Sequence, residues 1–185
     1  MLKNVICSTI GKKFVMAISG LGLVGFAITH LAGNLALYRS SGDAFNTYAH
    51  MLESLGKLLI LAEGGLIAMF LAHVVVAVGL QLKAKTARPT RYAVQKSKGG
   101  NTPSNISSRN MIVTGLGLLT FLVLHVWQFK YGPGVEQGYV TEINGQPVRD
   151  LYRLVIETFQ NPLYVSLYVA VMFFLGLHIR HGFWS

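Results

Sequence analysis

Four histidines sit one apiece in four long apolar runs: His30 within Phe14–Leu37, His73 within Leu58–Leu82, His125 within Asn110–Phe129, and His178 in the run that starts at Asn161. An ionisable side chain inside a lipid-spanning helix is costly, so each of these residues calls for a partner. Depth decides which can meet. His30 lies roughly 25 Å from the basic residues that precede its run and His125 roughly 24 Å from Arg109, at the helical rise per residue. His73 lies roughly 15 Å from Lys83, and His178, on a run of opposite direction, falls past the midplane at the same level. Two pairs at two heights are expected, His30 with His125 and His73 with His178.

Facing neutral imidazoles in a bundle core are what axial ligation of a haem iron requires. Iron satisfies one ring nitrogen and leaves the other to donate to backbone or water. A single such histidine reads as an interhelical hydrogen bond; four matched pairwise in depth read as the ligands of two b haems. Zinc fits less well, because no cysteine or carboxylate stands at a matching depth to complete a tetrahedral set. His50 and His181 break the pattern. His50 falls between runs, and His181, three residues after His178, is open as an alternative ligand on spacing alone.

The elements that must position these groups follow from composition. Of 185 residues 52% are apolar and 12% charged, and the apolar ones come in blocks of the length that crosses a bilayer. The expected fold is all-α, a polytopic transmembrane bundle with four visible spans forming a single domain over residues 1–185. One cysteine, Cys7, excludes an internal disulfide framework and a cysteine-ligated cluster built from this chain alone. The run after Lys13 is too long for a signal-peptide core and lacks a clear cleavage site.

The net charge of +9 is unevenly spread. Lys3, Lys12 and Lys13 precede the first run, and Lys83, Lys85, Arg88, Arg91, Lys96, Lys98 and Arg109 fill the connection between the second and third, which holds no acid. All seven acids, Asp43, Glu53, Glu63, Glu136, Glu142, Asp150 and Glu157, lie on the other side or in the adjoining helix halves. The positive-inside rule then puts the N-terminus and the basic connection in the cytoplasm. The basic surface reads as topology and lipid headgroup contact, and no nucleic-acid partner is expected.

Between the spans, Phe45, Tyr48, Met51, Leu52 and Leu55 recur at helical spacing, predicting an interfacial helix. GVEQGYVTEINGQPV carries the alternation and the Asn-Gly turn of a short hairpin; the rest of 132–160 reads as loop. The fourth span is expected to begin near Pro162. Ser19–Gly25 supplies small residues for close helix approach. No repeat of fixed period is evident.

THLAGN around His30, FLAHVVVAVGLQL around His73, FLVLHVWQFK around His125 and LGLHIRHGFWS around His178 together resemble the dihaem cytochrome b membrane anchor of succinate:quinone oxidoreductases, the succinate dehydrogenases and fumarate reductases of respiratory complex II. The resemblance covers nearly the whole chain. It implies one haem on the cytoplasmic side held by His73 and His178, and another on the outer side held by His30 and His125. Gly182, Phe183 and Trp184 match the residues after the family's last ligand, which favours His178 over His181. It also implies partners: an iron-sulfur subunit and a flavoprotein subunit with covalent FAD, with a quinone, by family habit menaquinone, exchanging electrons in a bacterial cytoplasmic membrane. Two departures stand out. Relatives usually carry a fifth span after the last ligand, whereas this sequence reaches Ser185, and Gly176 stands where some fumarate-reducing relatives have a glutamate.

A quinone site also needs proton exchange near the outer pair. Glu53 and His50 are candidates, and Glu63, some six residues into the second span, is a weaker one. Arg39, Arg180 and His181, with Lys57 and Lys130, are candidate propionate partners, competing with simple snorkelling of long basic side chains at the interface. Trp127, Tyr131 and Trp184 read as interfacial belt residues. The alternatives to this reading are a dihaem cytochrome b anchoring another dehydrogenase, such as a hydrogenase, or a haem-free anchor or transporter.

Overall fold

The computed structural model describes residues 8–39, 41–86 and 111–184. It is an all-α bundle with four helices long and apolar enough to cross a membrane: α1 (Thr9–Asn34), α3 (Lys57–Thr86), α4 (Met111–Phe129) and α6 (Pro162–Trp184). At the end away from the N-terminus these carry a cap built from α2 (Asp43–Ser54), the hairpin β1 (Val140–Ile143) and β2 (Gln146–Arg149), and α5 (Leu151–Phe159). Most of the basic connection between α3 and α4 lies outside the described residues.

The spans form where apolar side chains cover the backbone all round and every amide is satisfied within the helix, as a hydrocarbon environment demands. α1 starts at Thr9, five residues before the apolar run itself, because Ser8 caps it by accepting from the Gly11 amide at 3.0 Å. Lys12 and Lys13 can ride on its first turns with their ammonium groups at the interface. α3 runs on to Thr86, beyond Lys83, whose ammonium group reaches back to donate to Thr9 Oγ1 at 2.9 Å and ties the end of α3 to the start of α1.

Close backbone packing among the spanning helices is confined to two pairs, α1 against α3 and α4 against α6. A small residue sets the first of these, since a Cβ on Gly22 would run into the Met69 thioether, while Gly33 makes room for the Tyr48 ring of α2. The facing sides of the two pairs stand further apart and meet through side chains. That separation matters for the site.

The cap, by contrast, has a water-type core in which Phe45, Val148 and Leu154 are buried. Asn46, 2% exposed, latches it: its amide donates to Asp150 Oδ1 at 2.8 Å and its carbonyl oxygen accepts from the Tyr152 amide at 2.9 Å. Asp150 in turn caps α5 by accepting from the Arg153 amide. The hairpin turns at Asn144 and Gly145, both in the left-handed region, as the Asn-Gly pair predicts. The helix at 43–54 also forms as expected. α5 is the correction to the sequence reading, since a stretch taken as loop is a helix whose apolar face closes the cap.

Arg149 joins cap to bundle. Its guanidinium donates to the carbonyls of Pro133 (3.0 Å), Gly132 (3.2 Å) and Lys130 (3.4 Å), just past the C-terminus of α4, where positive charge is favoured. Gly132 is needed there because a Cβ would collide with the Gln128 carbonyl oxygen, which is backbone and cannot swing away. Gly132→Ala is therefore expected to destabilise the bundle by about 1–3 kcal/mol through overpacking, read as a lower midpoint in detergent unfolding, while Gly64→Ala, at a helical glycine with open space around it, serves as the control.

Candidate functional site

α1 and α4 run in one direction, α3 and α6 in the other, so histidines late in the first two and late in the last two fall at opposite levels. At the level nearer the cap, His30 and His125 face one another with ring centroids 5.7 Å apart and planes at 90°. At the level nearer the N-terminus, His73 and His178 lie 6.4 Å apart at 60°. Both pairs bridge the space between the two helix pairs.

The hydrogen-bond partners decide which nitrogen each ring presents. Ser19 Oγ donates its single proton to the Val15 carbonyl at 2.7 Å, so toward His73 Nδ1, 3.2 Å away, it acts as acceptor. Thr114 does the same on the other side, donating to the Met111 carbonyl at 3.0 Å and accepting from His178 Nδ1 at 3.2 Å. His125 Nδ1 meets Tyr168 Oη at 3.2 Å, and that hydroxyl donates onward to Gln128 Oε1, also at 3.2 Å. In each case Nδ1 carries the proton and Nε2 keeps its lone pair. His30 completes the set differently, its Nε2 accepting from the Asn34 amide at 3.3 Å one turn along the same helix.

Ser19 and Thr114 are buried in a bundle that buries little else, and each is followed by a glycine beneath the partner imidazole. A Cβ on Gly20 would stand 3.4 Å from His73 Cε1, and one on Gly115 3.4 Å from His178 Cε1. Each hydroxyl precedes a histidine of its own helix by eleven residues, in SGLGLVGFAITH and TGLGLLTFLVLH, which share Gly, Leu, Gly, Leu, Phe and His position by position. This correspondence between α1 and α4 escapes a search for fixed period because His73 and His178 do not keep the same offset. Ser19, Thr114, Tyr168 and Gln128 are the residues that sequence reasoning missed.

Donor chemistry can be tested against the groups it would suit. A metal bonded to two facing imidazoles at about 2 Å per bond needs ring centres roughly 6 Å apart once half of each ring is added. Both pairs meet that requirement, and three of the four rings offer a lone pair at Nε2. Among the described residues no three His, Cys, Asp or Glu side chains converge, so each level supplies two nitrogens on opposite sides of a space. Each level therefore brings together two imidazoles from opposite helix pairs.

The other expected residues lie apart from this axis. Glu63 pairs with Lys130, joining α3 to the end of α4. Glu53 and His50 are exposed on α2. Burial lowers the pKa of the Arg149 guanidinium, and the charge of Glu53, within electrostatic reach of it, opposes that shift. Arg39, Lys57 and Arg180 are exposed, and His181 is half-buried one turn below His178.

A groove of about 420 Å³ opens between α4, α5 and α6, lined among others by Phe121, Trp127, Gln128, Thr158 and Tyr168. Tyr168 forms its deep wall, edge-on to Phe121 and Phe159, and connects it to His125. Gln128 reaches Thr158 Oγ1 with one amide hydrogen at 3.3 Å, leaving the other. At the rim Tyr139 donates to Glu157 Oε2 at 2.6 Å, and Arg153 donates to the other carboxylate oxygen at 2.7 Å. The hydrogen bond to Glu157 raises the Tyr139 pKa, and the bonds from Tyr139 and Arg153 hold Glu157 below the usual carboxylate range.

No protein-family model, curated protein or solved structure matches this chain.

Proposed function

We propose that this chain is the cytochrome b membrane anchor of a succinate:quinone oxidoreductase, holding one haem between His73 and His178 and another between His30 and His125. The single observation that carries the reading is the pair of facing imidazole couples across the space between α1/α3 and α4/α6. The haems would supply one-electron transfer across the membrane between an iron-sulfur subunit and a quinone. The chain's own part is to hold four neutral imidazoles, three of them with Nε2 left free by a hydrogen bond at Nδ1, and His30 with Nε2 shared with the Asn34 amide. The groove beside Tyr168 supports the quinone end. It has aromatic walls, an amide donor in Gln128, and a rim of half-buried Tyr139 and exposed Glu157 through which water can exchange protons. Glu53 and His50 do not line it.

In this reading the N-terminus and the basic connection face the cytoplasm of a bacterial cell, and the cap faces out. A flavoprotein subunit carrying covalent FAD would complete the complex, and menaquinone would be the quinone. Purification of the complex from native membranes tests this. The expected result is a reduced-minus-oxidised spectrum with b-type bands, two haems per chain, and flavin covalently attached to a copurified large subunit. Two haems without covalent flavin would move the chain to another dehydrogenase, such as a hydrogenase, and no haem at all would sink the reading.

A further inference from the structure

The two buried hydroxyls of the bundle do the same thing twice. Ser19 on α1 and Thr114 on α4 each spend their proton on a carbonyl of their own helix and offer an oxygen, at 3.2 Å in both cases, to Nδ1 of a histidine on the neighbouring helix. The glycine that follows each hydroxyl leaves the space in which the ring lies, again at the same 3.4 Å. Neither Ser nor Thr is required by helix propensity or by lipid at these positions. Alanine would pack the bundle as well. What the hydroxyls add is selection. An imidazole has two tautomers and a rotatable ring, and an acceptor at Nδ1 fixes both, directing the Nε2 lone pair into the space between the helix pairs.

We propose that Ser19 and Thr114 are positioning residues, two copies of one hydroxyl-glycine device that fixes the tautomer and ring plane of His73 and His178 as an opposed ligand pair. The inference deepens the haem reading above and rests on it for its redox consequences, but its structural content, a tautomer set by a hydroxyl, does not. The same device makes His178 rather than His181 the ligand, since Thr114 meets His178. It also predicts the direction of an electronic effect. Accepting a hydrogen bond from Nδ1 makes the opposite nitrogen a stronger donor, which favours the higher oxidation state of a bound iron and keeps its potential low.

The test uses the intact complex carrying Ser19→Ala, Thr114→Val, and the conservative Ser19→Thr and Thr114→Ser. Histidine 15N shifts in membranes read the tautomer directly in complex depleted of haem, where no iron occupies Nε2. The expected result is that the Nδ1-protonated signals of His73 and His178, assigned by their loss in the alanine variants of each histidine, become mixed in Ser19→Ala and Thr114→Val respectively and return in the conservative variants. Where haem is present, the component lost in His73→Ala should shift to higher potential, by about 59 mV for a tenfold change in relative stabilisation of the two oxidation states. Its low-spin resonance should move as the ring planes relax, and its haem should be retained about 10–100-fold less tightly. Unchanged tautomer signals in both non-conservative variants would overturn the proposal. A sample without haem would overturn the proposed function and leave the tautomer result to decide this one.

Discussion

Replacing His73 with alanine is expected to remove one haem of two and leave the other in place, and replacing His30 is expected to remove the other. The two variants should lose different components of the reduced-minus-oxidised spectrum, because the pairs differ in their surroundings. The level near the N-terminus is closed by aliphatic hydroxyls. The level near the cap is flanked by Phe26, Phe121, Phe129 and Tyr168. An iron held on one side only is a weak site in a bundle, so each loss should be near complete. Haem counting on the purified complex checks this. An unchanged count in both variants would remove the ligand assignment.

The second large effect is expected from the glycines under the rings. Gly20→Val and Gly115→Val should each empty the level nearer the N-terminus while sparing the one nearer the cap. The Cβ alone would already touch the imidazole carbon, at 3.4 Å, and the added methyl groups of valine then crowd the ring on that side. The ring must then turn, and a ligand displaced by about 1 Å no longer faces its partner. Gly117→Val, with open space around the glycine and a place on the same helix as Gly115, is the control. It should keep both haems, and equal haem loss in Gly117→Val and Gly115→Val would show that the effect is helix damage rather than ring displacement.

Much of the architecture could be read from the amino acids. Apolar blocks of bilayer length gave the four spans, and alternation with Asn-Gly gave the hairpin. Counting residues from the basic boundaries brought His30 to the height of His125 and His73 to that of His178, which is where the rings meet. The limits were physical too. α5 is only nine residues long, too short for its apolar spacing to stand out from a loop, and its formation depends on Asp150 being held by Asn46 from a distant part of the chain. Ser19 and Thr114 were passed over because a hydroxyl that bonds its own helix looks neutral in a hydropathy pattern. The resemblance between SGLGLVGFAITH and TGLGLLTFLVLH was there to be seen, and only the equal treatment of His73 and His178 gives it meaning. The groove whose wall holds Tyr168, the partner of His125, is built from α4, α5 and α6 together, and no one of these segments marks it in the sequence.

The spacing between α1/α3 and α4/α6 bears on how the molecule comes together. Each half can form as a separate hairpin of helices, since its close packing is internal to it, and among the described residues the halves meet at the cap, the Glu63–Lys130 pair and the two histidine couples. A body lodged between them and gripped from both sides acts as a rivet. On the haem reading proposed above, its binding energy would become the energy of assembly, so cofactor supply and maturation of the subunit would form a single equilibrium, in which starvation for one is felt as instability of the other.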